Sequence, residues 1–156
     1  MGTRLSVGLS FDSEIIRWLE ITFMPDNGLI TMQSVHDFET TLARLLEALE
    51  AKGITIFARI DHAAGAESVG LRLRPTTLVV FGNPAAGTPL MQATQTAGID
   101  LPLKVLVWQD ANGSVSLTYN RPSWIVARHQ LTAGSAHAAT AMGAALEALA
   151  EHATAR

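Results

Sequence analysis

The stretch that decides the fold is VHDFETTLARLLEALEAKGITIFARID, residues Val35 to Asp61. Its apolar side chains first recur every three or four residues, which predicts an amphipathic helix over Val35–Lys52 with a Ser34 cap. Gly53 then ends the helix, and apolar and polar residues alternate as in a half-buried strand. We expect one face of that strand to pack against the helix: Ile54, Ile56, Ala58 and Ile60.

The rest of the chain predicts further strands and helices around this unit. GLITMQS, from Gly28, predicts a strand that enters the helix, and HAAGAESVG predicts a short helical turn. TLVVF, from Thr77, is almost wholly apolar and predicts a central strand covered on both faces. LPLKVLVW and SVSLTY, joined by the turn QDANG, predict a hairpin, and the C-terminal part predicts helices. Together these elements indicate an α+β domain with a largely antiparallel sheet and helices packed on one face. The inner face of the hairpin is predicted to hold Val105, Val107, Val115, Leu117 and Tyr119.

The composition of the 156-residue chain argues against several classes of protein. Its net charge is −3 and its basic residues are scattered, so we expect no nucleic-acid partner. It has no cysteine, which excludes disulfides and thiolate metal sites. No apolar run is long enough for a signal peptide or a membrane span, which predicts a cytoplasmic protein without a membrane partner. No two histidines have helical metal-ligand spacing, and we predict neither a metal site nor a cofactor.

The opposite face of the predicted sheet also carries large apolar side chains. Phe57, Leu106 and Trp108 fall on this parity, beside the polar residues Arg59, Lys104, Ser116 and Thr118. Burial of such apolar side chains is worth roughly 1.5–3 kcal/mol each. We therefore expect a cover, which is the N-terminal segment, a second subunit or a ligand.

The loop FGNPAAGTPLM, Phe81 to Met91, has the most unusual local chemistry. Its glycine spacing is that of a phosphate-binding loop, but Thr88 stands where that motif requires lysine, and Pro84 lacks an N–H donor. We predict a turn in which Thr88-Pro89 starts a helix that ends at Gly98. A modest anion site at the helix start is an alternative.

Asp61-His62 is the second place where chemistry is expected. At a strand end, either the Asp61 carboxylate or the His62 imidazole is able to act as a general base, and the imidazole is also able to bind a metal ion. The alternative is a strand-end cap with a surface histidine. We expect this pair and Asn83 to follow neighbouring strands and to line one end of the sheet.

Four segments together resemble a bacterial family, domain of unknown function 302. They are FARIDHAAGA from Phe57, LRPTTLVVFGNPAAGTPLMQ from Leu73, GIDLPLKVLVWQD from Gly98 and LTYNRPSWIVARH from Leu117. The resemblance implies a fold similar to that of the TATA-binding protein, in the order strand, helix, four strands, helix, commonly as a dimer. It implies no activity. It covers a single domain over residues 28–156 and leaves residues 1–27 as an N-terminal extension.

We therefore predict a homodimer that binds or senses a small molecule in a pocket between the sheet edge and the Gly82–Met91 loop. One alternative is an enzyme that uses Asp61 or His62 as general base. Another is a scaffold or partner-binding module whose apolar outer face is the working surface. The predicted ligand-binding residues are Asp61, His62, Asn83, Thr88, Met91 and Trp108.

Overall fold

A computed structural model of the protein describes residues 27–131 and 133–156. The predicted N-terminal extension lies outside the described residues, except for Asn27. The strands are β1 (Leu29–Gln33), β2 (Thr55–Asp61), β3 (Thr76–Gly82), β4 (Leu103–Gln109) and β5 (Val115–Asn120). The α-helices are α1 (Phe38–Ala51), α2 (His62–Ser68), α3 (Pro84–Ala93), α4 (Pro122–Arg128) and α5 (Ala133–Thr154), and a 3-10 helix spans Gln95–Ile99.

The five strands form one antiparallel sheet in the order β1-β5-β4-β3-β2, which confirms the predicted α+β class. Helices α1 and α5 pack together over one face and enclose the hydrophobic core. The alternation in the hairpin sequence selects the side chains that reach this core. The predicted inner face is confirmed, because all five of its residues are buried: Val105, Val107, Val115, Leu117 and Tyr119.

Helix α1 begins three residues later than the sequence predicts. Ser34 follows β1 directly and still hydrogen-bonds to the sheet, since its amide donates to the carbonyl of Val115 at 2.8 Å. Asp37 therefore caps the helix, and its carboxylate accepts from the amide of Thr40 at 2.7 Å. The hydrogen bonds from Thr40 lower the pKa of Asp37. The predicted stop is confirmed, since Gly53 has the left-handed φ of 63°.

Strand β2 contains a bulge that the alternating sequence does not predict. Ile56 pairs with Phe81 on the helix face, but the register shifts between Ile56 and Ala58. Phe57 is the extra residue, and beyond it Ile60 lies on the opposite face of the sheet and is 42% exposed. The prediction that Ala58 and Ile60 share the face of Ile56 is therefore wrong.

The face of the sheet that points away from α1 and α5 is called the open face. It holds Leu78 and Val80 of β3, which are only partly buried by the described residues, so a cover for this face of β3 stays a prediction. Arg59 does not lie there, because the bulge places it opposite Val79. The open face includes Leu29, Thr31 and Gln33 of β1, Phe57, Ala58 and Ile60 of β2, Leu78 and Val80 of β3, Lys104, Leu106 and Trp108 of β4, and Ser116 and Thr118 of β5.

Candidate functional site

The unusual loop is a direct passage from β3 into α3. Asn83 is the N-cap, and its Oδ1 accepts from the amide of Ala85 at 2.9 Å. Pro84 takes the first helical position, where the missing N–H costs nothing. The prediction that Thr88-Pro89 starts the helix is therefore wrong, and Pro89 lies inside it. The helix also ends before Gly98, at Ala93.

The start of α3 offers little to an anion. Pro84 has no N–H, and the amide of Ala85 is taken by the Asn83 side chain. The amides of Ala86 and Gly87 both donate to the carbonyl of Asn83, at 2.9 and 3.1 Å. The first-turn amides that would bind a phosphate or carboxylate are thus already occupied, which argues against the anion site considered from the sequence.

A cavity of about 220 Å³ lies beside this loop. It is lined by Phe57 of β2, the end of β3, one side of α3, the segment that leads into β4, and α5. Two glycines of the loop leave the space open. A Cβ at Gly82 would come within 3.5 Å of Pro102 Cβ, and one at Gly87 within 3.9 Å of Leu101 Cδ1. The main apolar walls are Phe57, Met91, Leu101, Pro102, Leu103 and Met142.

Two polar side chains, Asn83 and Thr88, also line this cavity. The capping bond to Ala85 uses Asn83 Oδ1, which leaves the amide nitrogen Nδ2 as a donor. Within the described residues, neither this nitrogen nor the Thr88 hydroxyl forms a hydrogen bond to the protein. The cavity therefore combines an apolar wall with two polar groups that remain available to a guest molecule.

The structure brings together three of the predicted ligand-binding residues, Asn83, Thr88 and Met91. Asp61 and His62 lie at the other end of the sheet, because β2 and β3 are antiparallel. Five residues separate the two ends of this pairing, or about 17 Å. The expectation that both loops line one end of the sheet is therefore wrong.

Asp61 acts as the N-cap of α2, and its carboxylate accepts from the amide of Ala64 at 2.9 Å. His62 is exposed, and within the described residues its side chain forms no hydrogen bond. A capping Asp61 and an exposed His62 agree with the alternative interpretation of this pair, a strand-end cap with a surface histidine. A general base held by a hydrogen-bonded partner is not what these contacts provide.

Trp108 lies on the open face, away from the cavity. Its indole N–H donates to the Thr118 hydroxyl at 2.9 Å. Trp108 is five residues along β4 from Leu103, which lines the cavity, a distance of about 17 Å. A molecule held in the cavity therefore does not reach Trp108.

Sequence reasoning missed a buried ionic cluster around Asp100, the residue that directly precedes the lining segment Leu101–Leu103. The Asp100 carboxylate accepts from His129 Nε2 at 2.6 Å and from the Arg128 guanidinium at 3.2 Å. His129 Nδ1 lies 3.2 Å from the Thr96 hydroxyl. The available signal was Asp100 itself, because a carboxylate within the apolar run GIDLPL is rarely buried without a partner.

Lys104 is a second group that sequence reasoning did not single out, and it lies next to the lining residue Leu103 without lining the cavity itself. Its ammonium donates to the backbone carbonyls of Asp100, at 3.0 Å, and Pro102, at 3.2 Å. Burial lowers the pKa of Lys104, and the nearby charge of Asp100 opposes this shift. The ammonium is thus held against the backbone of Asp100–Pro102, a segment in which Leu101 and Pro102 line the cavity.

Comparison with known proteins identifies relatives of the whole domain. The family model for the domain of unknown function DUF302 matches residues 30–149. The crystal structure of an uncharacterized conserved DUF302 protein from Bacillus stearothermophilus has a TM-score of 0.72 and 20% sequence identity. The structural match covers 81% of this chain and 98% of the Bacillus stearothermophilus chain. At this identity the structural likeness supports the fold.

Two of the curated relatives are ion channels by name. The fluoride-specific ion channels FluC 1 of Brucella suis and FluC 2 of Brucella melitensis are each 45% identical to this chain over 117 residues, or 75% of it. The chain spans 46% and 43% of their respective lengths. None of the helices described here is long and apolar enough to cross a membrane. Because the family model covers most of the chain, this protein belongs to the family of the domain of unknown function DUF302.

Proposed function

We propose that this protein binds or senses a small, largely apolar molecule in the cavity beside the Gly82–Met91 loop, and that it acts as a homodimer. One observation carries the proposal: the cavity joins an apolar wall to two polar donors, the Asn83 side-chain nitrogen and the Thr88 hydroxyl, that form no hydrogen bond among the described residues. Binding sites for small molecules have this composition, in which apolar contact supplies affinity and a few polar groups fix orientation.

The size of the cavity narrows the class of ligand. Its volume of about 220 Å³ is below that of most sites for drug-sized ligands, which begin near 300 Å³. Apolar cavities of about 150 Å³ accept benzene. A single ring or a short alkyl chain with one polar end therefore fits, whereas a nucleotide does not.

The homodimer part of the proposal rests on the open face. Leu78, Val80, Leu106 and Trp108 form its centre, and Phe57 at its edge is 50% exposed. Five strands about 4.8 Å apart and about 20 Å long present roughly 500 Å² of flat area. Two copies would bury about 1,000 Å² in total, which is the lower limit for a specific interface.

Ligand binding is tested with phenylacetamide, which has one ring and a neutral polar end. We expect saturable binding by isothermal titration calorimetry, because the ring contacts the apolar wall and the amide oxygen accepts from Asn83 and Thr88. Gly87→Leu places a side chain toward Leu101 and should abolish binding. Ala85→Leu adds the same side chain at an exposed position of the same helix and should leave the affinity unchanged. Equal binding by both variants would place the ligand elsewhere.

A second candidate function is a partner module for a fluoride-transporting membrane protein. It is favoured by one observation: a region 45% identical to this chain is part of the longer Brucella FluC 1 protein. The open face is the surface that we assign to the partner. The test is co-purification of this chain with Brucella FluC 1 that lacks the matching region. Loss of capture in a Leu106→Lys variant would support this function, whereas failure of the wild-type chain to be captured would contradict it.

A further inference from the structure

Phe57 belongs both to the open face and to the wall of the cavity. It is the extra residue of the bulge in β2, its side chain is 50% exposed, and it lines the cavity. A Cβ at Gly82 would lie 3.6 Å from Phe57 Cε2 and 3.5 Å from Pro102 Cβ. Gly82 is two residues beyond Val80 along β3, so these contacts lie at one end of the open face. The open face and the cavity therefore share the Phe57 ring.

The open face has the composition of a surface that pairs with a second copy of the chain. Leu29, Phe57 and Ile60 are exposed on it. Lys104 carries the one charge among the described residues that the register places on this face, and two backbone carbonyls hold its ammonium. Interface centres are poor in charge and rich in aromatic side chains. Two such faces meet without repulsion, and their combined area of about 1,000 Å² reaches the lower limit for a specific interface.

We propose that a second copy on the open face completes the wall of the cavity through Phe57, so that ligand binding and dimerisation strengthen each other. This inference rests on both parts of the proposed function, the ligand and the homodimer. In the monomer half of the Phe57 side chain is in water, and an exposed side chain changes rotamer readily. Burial against the second copy fixes the ring, and the ligand then binds without the entropic cost of ordering it.

The coupling has a quantitative form, because binding linkage is reciprocal. A dimer with twofold symmetry has two equivalent cavities, each with its own Phe57 at the interface. If dimerisation raises the ligand affinity of each cavity by some factor, saturation of both cavities must lower the Kd of the dimer by the square of that factor. Couplings between sites begin at about fivefold, which corresponds to a fall of about 25-fold in the Kd of the dimer.

The experiment measures both sides of this linkage with phenylacetamide as the probe. Sedimentation equilibrium of the wild-type chain, with and without saturating phenylacetamide, should show the fall of about 25-fold in the Kd of the dimer. Trp108→Glu, which we expect to be monomeric, should bind phenylacetamide about fivefold more weakly than the wild-type dimer in calorimetry. Trp108 does not line the cavity, so this loss would come from the missing second copy.

Two substitutions in β2 separate the shared ring from the rest of the open face. Phe57→Ala removes the side chain that both sites use, so the Kd of its dimer should no longer depend on phenylacetamide. Ile60→Ala removes an apolar side chain of the same face that does not line the cavity, so it should weaken the dimer and keep the full dependence. If Phe57→Ala does not fold or does not dimerise, Phe57→Leu takes its place. Full dependence in the Phe57 variant would show that the coupling does not pass through this ring.

The remaining outcomes distinguish this inference from the function on which it rests. An unchanged Kd of the dimer, together with saturable binding of phenylacetamide, would overturn the inference and leave the proposed function in place. A dimer that weakens when the compound binds would show that the second copy obstructs the cavity, and would overturn the inference as well. A chain that stays monomeric with and without the compound would leave the open face to another occupant and contradict the homodimer. Failure of phenylacetamide to bind would overturn the proposed ligand site, and this inference with it.

Discussion

Replacement of Asp100 by asparagine perturbs the buried ionic cluster and hardly changes the shape of the side chain. The carboxylate is only 10% exposed and accepts hydrogen bonds from His129 and Arg128. An amide offers one oxygen in place of two, so its N–H₂ group must face either the guanidinium, which only donates, or the imidazole, which can accept only after its proton moves to Nδ1. The charge-assisted hydrogen bond to His129 or to Arg128 is therefore lost or replaced by a weaker neutral one.

The expected cost comes mainly from His129. A hydrogen bond to a charged group contributes about 1.5–3 kcal/mol. The Arg128 side chain is 50% exposed, so its ion pair is screened and is worth about 1 kcal/mol or less. We expect Asp100→Asn to lower the free energy of unfolding by about 2–4 kcal/mol. In a chain of this length, that corresponds to a fall of roughly 5–15 °C in Tm.

The assay is urea unfolding followed by tryptophan fluorescence, with two control variants. Glu67→Gln removes one negative charge at an exposed position and should change the free energy of unfolding by less than about 0.5 kcal/mol. Arg128→Met removes the screened ion pair and the contact of its guanidinium with the Trp124 ring, 5.4 Å away, and should cost about 1 kcal/mol. A cost below 1 kcal/mol for Asp100→Asn, or an equal cost for Arg128→Met, would refute the reasoning.

Three further predictions follow from other contacts. Burial and the charges of Glu147 and Glu151 raise the pKa of Tyr119, the one tyrosine of the chain. The absorbance of this tyrosine at 295 nm should therefore titrate with a midpoint above the usual pKa of 10.0. In Glu147→Gln the midpoint should be lower than in the wild-type protein. Because the folded protein holds this proton more tightly, the free energy of unfolding should fall as pH rises through the raised pKa, and a normal midpoint would contradict this. Trp108→Glu should reduce the mass in light scattering from a dimer to the 16.6 kDa protomer, and an unchanged mass would exclude the open face as the interface. Gly87→Ala should raise the free energy of unfolding, measured in urea, by about 0.5–1 kcal/mol. Alanine favours the helix, and its Cβ would make only ordinary contacts at 3.9 Å. A loss of stability would contradict this account of the loop.

Local patterns in the sequence predict most of this fold. The hairpin and its inner face follow from strict alternation, and α1 follows from one apolar stripe, since both depend only on neighbours along the chain. The bulge at Phe57 depends instead on how β2 pairs with β3, and the alternating residues of β2 carry no trace of it. The bulge moves Ile60 to the open face, so Ile60 does not make the predicted contact with α1.

The site was predictable only in part, for a similar reason. Asn83 and Thr88 both precede a proline, and each is a good N-cap, so the sequence does not tell which of them starts the helix. The structure selects Asn83. Met142, on the last helix, lines the cavity only because of long-range packing. The separation of His62 from Asn83 likewise follows from the antiparallel direction of two strands, which residue types alone do not reveal.

The most direct test of the cavity as a ligand site uses its methionines. With [ε-¹³C]methionine labelling, each of the five methionines gives one methyl NMR signal, and two of them, Met91 and Met142, line the cavity. Met32 packs against the core of the domain and serves as the internal control. We predict that phenylacetamide shifts the signals of Met91 and Met142 along saturating curves with one common Kd, while that of Met32 stays in place. Unchanged signals from both cavity methionines at saturating ligand, or an equal shift of Met32, would contradict the account.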